Sequence, residues 1–239
     1  MKVKDILDRV TTLYNDTEYI RVPESGYLKF LDDALNMLLL VRPDCHVKTS
    51  VIKLKKGTRQ VIPDEGRALI DIYMNKQPIF KSDGTTIKEY INYYPVVQVR
   101  RDDLDYFSNW QVGSGIVSKD YITEFAYESK NPRMFWVNPY VGDLDVYVEM
   151  DYSYEFVKYS EMKDALNVEI DLPDYWVGPI CSYMLYLLYS TDSTSALDRQ
   201  IAASYLQSFY QATSVEQSSA VSVKPTLSVT NTDVMGGSV

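Results

Sequence analysis

The sequence predicts an α+β fold: a helical bundle formed by the N- and C-terminal segments, an inserted antiparallel β domain, and an extended C-terminal arm. Three observations predict it. Amphipathic helical segments stand towards both ends, at Pro23–Pro43 and Leu172–Ala212. Between them the apolar period changes from 3.6 to two, and tyrosines accumulate. After Ala212 the chain turns to Ser, Thr and Val with few charges, a composition without the patterned hydrophobicity of a core. The expected divisions are 1–46 for the N-terminal helices, 47–172 for the β insert, 173–212 for the C-terminal helices and 213–239 for the arm.

Val3, Ile6, Leu7, Val10 and Leu13 recur at helical spacing, so a first helix is expected over Val3–Leu13, ended by turn chemistry at Asn15-Asp16. Pro23-Glu24-Ser25 opens the next: proline suits a first turn, and Glu24 complements the N-terminal dipole. Leu28, Leu31, Leu35, Leu38 and Leu39 form its buried stripe, and Pro43 closes it. From Val47 to Leu54 the residues alternate as in a strand. Lys55-Lys56-Gly57-Thr58 reads as a hairpin turn and Arg59–Ile62 as the returning strand. Ala68–Met74 is another strand, and Asn75–Glu89 a polar surface loop with Ser82-Asp83-Gly84 at its tip. A strand over Tyr94–Val99 and a short Asp-capped helix over Asp102–Phe107 follow. Ile122–Tyr127, Met134–Val137 and Asp145–Tyr154 complete a small antiparallel sheet or sandwich, the first two joined by a turn at Glu128–Arg133. Asn167–Asp171 is expected to be a short strand. Pro173 begins a helix with Trp176, Val177, Ile180, Met184, Leu187 and Leu188 at helical spacing. After a break at Asp192-Ser193-Thr194, the last helix, Ser195–Ala212, turns Leu197, Ile201, Tyr205 and Phe209 inward. In the arm, Ala220–Val223 and Leu227–Thr230 have β propensity suited to adding a strand to a neighbour.

Composition narrows the function. No apolar run reaches the length of about 18 residues that a membrane span needs. The opening MKVKDILDRV carries acids in its first turns and no apolar signal core, which argues against export. Cys45 and Cys181 are read as two buried thiols rather than a disulfide. A net charge of −9 excludes a conventional grip on nucleic-acid phosphates, which needs Lys and Arg. It would suit the wall of a conduit along which DNA slides, and it also serves plain solubility. The 21 tyrosines fit either a β core or protein–protein contacts, because each offers apolar area with a polar tip.

Catalytic equipment is sparse. His46 is the single histidine; its neighbour Cys45 would point to the opposite face of a strand, and a zinc set is incomplete. The acids Asp32-Asp33, Asp102-Asp103, Asp143, Asp145 and Glu149 form no motif and read as helix starts or solvated faces. Gly113-Ser114-Gly115 is too short for a phosphate-cradling loop. No catalytic, cofactor-binding or metal residue is assigned, and the chain is expected not to be an enzyme.

The stretches KVKDILDRVTTLYND, YLKFLDDALNMLLLVRPD, KLKKGTRQVIPDEGRALIDI, NPRMFWVNP and IDLPDYWVGPICSYMLYLLYSTDS, in this order, resemble the head-to-tail adaptor proteins of short-tailed bacteriophages, the tail tubular protein A type. The likeness covers roughly residues 1–212. It implies a structural virion protein made in the host cytoplasm and placed at the portal vertex. Such adaptors form a homo-oligomeric ring, a dodecamer, under the portal protein. The ring extends the DNA channel, which DNA crosses without specific binding, and offers a platform to the tail nozzle or tail fibre proteins. A C-terminal arm often grips the portal; in this chain Val221, Val223, Leu227, Val229 and Val234 are the expected contacts. The resemblance implies no cofactor and no membrane. Two other readings remain: a receptor- or glycan-binding tail protein that stacks sugars on its aromatics, and a virion-associated cell-wall hydrolase.

Overall fold

The computed structural model describes residues 1–105, 110, 119–191 and 195–223, with the backbone alone for 215–223. Five helices and eight strands are found among the described residues. Helices α1 (Val3–Tyr14) and α2 (Glu24–Val41) come first, then β1 (Val47–Lys53), β2 (Gly57–Val61), β3 (Gly66–Phe80), β4 (Ile87–Pro95) and β5 (Val97–Val99). A short α3 (Arg101–Leu104) precedes β6 (Glu124–Tyr127), β7 (Met134–Val141) and β8 (Tyr147–Tyr154), and α4 (Val177–Thr191) and α5 (Ala196–Val223) close the series.

Apolar spacing dictates which face each helix buries. On α1 the stripe is Val3, Ile6, Leu7, Val10, Thr11 and Tyr14. Leu13, expected inside, is half exposed because at 100° per residue it lies about a quarter turn off the stripe. On α2 all five expected leucines are buried. Apart from Thr11 and Leu39, these positions share one core with Trp176, Ile180, Met184, Leu185 and Leu188 near and within α4, and with Phe209 of α5. Burying each such side chain contributes about 1.5–3 kcal/mol. A strict i+4 series on α5 drifts about 40° per step. Leu197 therefore ends exposed, and Ala202, Phe209 and Thr213 make the inner face.

The backbone joins the same two regions. Val3 N–H donates to the Val168 carbonyl (3.1 Å) and Ile170 N–H to that of Met1 (2.8 Å). The expected strand at Asn167–Asp171 is this single bridge, Lys2 opposite Glu169, preceded by a 3-10 turn at Ala165–Asn167.

The strands form two four-stranded sheets, in the orders β1-β8-β3-β4 and β2-β7-β6-β5. Every pairing is antiparallel except β5 with β6. Leu69, Ile72, Val148 and Met150 of one sheet meet Phe125, Phe135 and Val137 of the other in a second core, the layering of a sandwich.

Three expectations about this part are corrected. Lys55–Thr58 is not a hairpin turn, because β1 pairs with β8 and β2 with β7: the connection crosses between sheets. Buried Gln60 supplies the hydrogen bonds that a ladder would have given. Its Oε1 accepts from Lys55 N–H (2.8 Å), and its Nε2 donates to the carbonyls of Lys55 (2.6 Å) and Gly57 (3.0 Å). Asn75–Glu89 is not a loop but two strand ends and a tight turn, since β3 runs on to Phe80 and pairs with β4. The Asp102–Phe107 helix begins at Arg101 with no side-chain cap and closes at Leu104; Phe107 lies outside the described residues.

β3 carries register shifts against both neighbours, which bend a strand and increase its twist. At its start, a Cβ on Gly66 would come within 2.7 Å of Ile62 Cδ1 and 2.9 Å of Tyr152 Cδ2, so only glycine fits.

At the C-terminus, α5 continues through Val223, past the expected end at Ala212, and Ala220–Val223 are helical rather than extended. Ser195 and Asp198 start it as a reciprocal cap: Ser195 Oγ accepts from Asp198 N–H (3.1 Å) and donates to Asp198 Oδ2 (2.6 Å). The expected break at Asp192-Ser193-Thr194 lies outside the described residues, as does Gly113-Ser114-Gly115.

The α1–α2 connection is built on one carboxylate. Asp16 is 4% exposed and accepts from the amides of Ile20 (2.8 Å), Arg21 (3.0 Å) and Val22 (3.1 Å) and from Tyr27 Oη (3.0 Å). Burial pushes against its ionisation, but these donors outweigh it and hold the carboxyl below the usual carboxylate range. The loop they organise places Tyr19 at φ +54° and holds Ile20 outward, 84% exposed. Because the folded carboxyl ionises more readily than the unfolded one, its stabilisation is complete above the unfolded pKa of about 3.9. It is lost as pH falls through the lower folded value. Asp16→Asn should cost about 2–3 kcal/mol at neutral pH, since buried amides lose a charged acceptor. The gap in melting temperature between wild type and variant should narrow as pH is lowered from 5 towards 2; a gap independent of pH would contradict this assignment.

Candidate interaction surfaces

The residues with chemical potential are placed as structure. His46 stacks between the rings of Tyr154 (3.8 Å between centroids) and Phe156 (4.0 Å), with Nδ1 3.0 Å from the Tyr154 carbonyl. It therefore acts as a spacer where the helical part meets the end of β8. Cys45 and Cys181 are free thiols. Burial pushes Cys45 up to about 12 and Cys181 up to about 11, so both stay protonated at neutral pH. Among the described residues no three His, Cys, Asp or Glu side chains gather in a way that could hold a metal ion, and no helix is long and apolar enough to cross a membrane. Asp103 pairs with Arg100 (3.0 Å), Asp143 with Lys56 (2.6 Å) and Asp145 with Lys53 (2.7 Å). Asp32 receives the amides of Tyr159 (2.8 Å) and Ser160 (3.1 Å), tying α2 to the segment that leaves the sandwich.

What this surface offers is relief and apolar display. The first feature is a ribbon. β8 stops pairing with β3 at Lys76, yet β3 continues to Phe80 with β4 as its partner. The projecting part is thus a two-stranded hairpin with Phe80 47% exposed and Ile91 also exposed. Its turn is fixed: Asp83 Oδ1 accepts from the amides of Thr85 (2.9 Å) and Thr86 (2.8 Å), and Gly84 takes φ +69°. Hydrogen bonds from Thr86 and Thr85 hold the Asp83 carboxyl at about 2. At the base, buried Asn75 donates Nδ2 to the carbonyls of Tyr94 (2.9 Å) and Ile122 (2.7 Å) and accepts Ile122 N–H on Oδ1 (2.9 Å). One amide thereby pins the root of the ribbon to the segment that enters β6. Tyr93, Tyr94 and Tyr121 pack on one another beside it, with Tyr94–Tyr121 at 4.4 Å.

The second feature is a cleft of about 820 Å³ between the end of α2 and the near end of the sandwich. Leu39, Leu40, Pro43, Ala68, Tyr127 and Pro132 give it an apolar floor, and Leu40 is 71% exposed. Asp64, Glu65 and Glu155 on its rim outnumber Arg67 and Arg133.

The third feature is the root of the C-terminal arm. Buried Arg42 donates Nε (2.9 Å) and Nη2 (2.7 Å) to Asp44 and Nη1 to the Thr213 carbonyl (3.0 Å), while its guanidinium lies 5.3 Å from the Trp176 ring. One side chain thus joins α2, the start of α4 and α5. Of the expected arm residues, Val221 and Val223 fall on the last turn of α5, and Leu227, Val229 and Val234 lie outside the described residues. Asn75, Gln60 and Arg42 carry no sequence signal of their roles, and Asp16 is marked only as a turn residue. Asn75 and Arg42 reach partners in distant segments, Ile122 and Thr213, whereas Asp16 and Gln60 bond amides and carbonyls of their own connections.

The family model described as SU10 adaptor protein matches residues 1–228, and the chain belongs to that family. This agrees with the head-to-tail adaptor resemblance. Membership makes the chain a structural adaptor protein of a bacteriophage, of a family that is generally non-enzymatic, placed in the virion and in contact with other virion components. No curated protein matches the chain.

Asn75→Ala would strand the Ile122 amide and carbonyl and should cost about 2–3 kcal/mol. Hydrogen exchange in β4 should accelerate more than in β8; equal protection of both strands in the variant would show that Asn75 does not hold the ribbon.

Proposed function

We propose that this adaptor is a subunit of a ring that joins the portal to the tail nozzle and extends the DNA channel. Membership of the SU10 adaptor family over residues 1–228 carries the reading. The shape of the chain supports it: one subunit has a projecting apolar ribbon, an apolar cleft and an exposed rigid loop at Ile20, which is the relief that side-by-side contacts use. In this reading the segments 1–46 and 173–212 form the helical bundle that makes the body of the ring, and 47–172 is the β domain on its tail side. The arm from residue 213, including Val221, Val223, Leu227, Val229 and Val234, reaches the portal.

Identical subunits in head-to-tail contact close into a ring when the rotation between them closes. Twelve copies are expected, as in the adaptors the chain resembles. A net charge of −9 favours a bore that repels DNA, so passage needs no specific grip. The glycan-binding alternative needs aromatics grouped in a groove, whereas Tyr93, Tyr94 and Tyr121 pack against one another at a strand edge.

Electron microscopy and mass measurement of the purified chain, alone and mixed with portal protein, test this. The expected particle is a twelvefold ring coaxial with the portal, with Asp and Glu outnumbering Lys and Arg along its bore. A solitary subunit in both samples would defeat the ring, and a basic bore would defeat the account of DNA passage.

A further inference from the structure

We propose that the β3–β4 ribbon of one copy docks in the cleft between α2 and the sandwich of the next copy. The inference rests on the ring reading and supplies its contact. The occupant follows from three observations.

The first is need. A two-stranded hairpin beyond its sheet is marginal in water, and open edges invite pairing. This one carries Phe80 and Ile91 exposed. Its turn and root are nevertheless fixed by Asp83 and Asn75, so it is held in shape before any partner arrives. A preorganised projection loses little conformational entropy on docking.

The second is charge. Residues 76–90 hold three lysines, Lys76, Lys81 and Lys88, against Asp83 and Glu89, a basic island on a chain of net charge −9. Among the described residues Lys81 makes no ion pair. The cleft lining carries the opposite net sign; Glu65 and Glu155 are paired with Lys48 and Arg67, while Asp64, 3.4 Å from Arg133, keeps a fully exposed side chain that a lysine can reach.

The third is position. The cleft begins at Gly66–Ala68 and the ribbon ends at Phe80, so recess and projection lie at opposite ends of one strand. At about 3.3 Å per residue they stand roughly 40 Å apart, too far for a copy to fill its own cleft. Docking must therefore run from copy to copy in one direction, the heterologous contact that builds rings.

The test mixes two single variants, Leu40→Cys and Phe80→Cys, under mild oxidation, both as the free chain and bound to portal protein. Each variant alone controls for Cys45 and Cys181. A disulfide-linked dimer should form in the mixture and in neither variant alone. In parallel, Phe80→Glu should weaken self-association at least tenfold while its circular dichroism and melting temperature match wild type, because Phe80 lies outside both cores. Rings that form without the mixed disulfide and are unaffected by Phe80→Glu would overturn the docking and leave the ring reading intact. Absence of rings in both states, with no cross-link, would overturn both.

Discussion

The structure depends on one constraint: apolar stripes from both ends of the chain are buried in the same core. Val3, Ile6, Leu7 and Val10 are fully buried, in one core with Ile180, Met184 and Leu188 from the far end of the chain. The contacts come from helices separated by more than a hundred residues, so the loop-closure cost is met once, for the whole insert. The bridge between Lys2 and Glu169 adds backbone pairing at the same seam. Anything held between these helices is then carried on a closed body rather than on a flexible string.

The sandwich is attached to that body by a few polar and aromatic contacts. Asp32 caps the turn after β8, and His46 fills the space between Tyr154 and Phe156. Such contacts fix orientation, because a hydrogen-bonded carboxylate or a stacked imidazole tolerates little sliding. The chain belongs to a structural adaptor family that is generally non-enzymatic, and a structural adaptor works by holding surfaces in fixed relation. Tyr27 and Tyr152 are buried, and Tyr73 and Tyr94 are exposed beside the ribbon.

Periodicity made the local elements legible. The α2 leucines, the alternation of β7 and the helical spacing of α4 are properties of neighbours in sequence, and they were readable for that reason. The family resemblance was readable too, because it sits in short stretches whose order matters. Pairing was not. Lys55–Thr58 has the composition of a hairpin turn, and only the buried amide of Gln60 and the partners β7 and β8 decide that the chain crosses sheets there. The ribbon was hidden because its strands are exposed on both faces, so Asn75–Glu89 lacks the alternation by which a half-buried strand is known. The end of α5 was misplaced because Ser and Thr are poor helix markers, though their hydroxyls can bond back to the preceding turn, as Thr213 does to the Phe209 carbonyl (3.0 Å).

Native-state hydrogen exchange tests most directly whether the two ends form one cooperative body. The most protected amides of α1, around Val10, and of α4, around Met184, should open with a common free energy and the same dependence on denaturant. If α1 exchanged through independent local opening while α4 stayed protected, the N-terminal helices would be an appendage, and the scaffold described here would not exist.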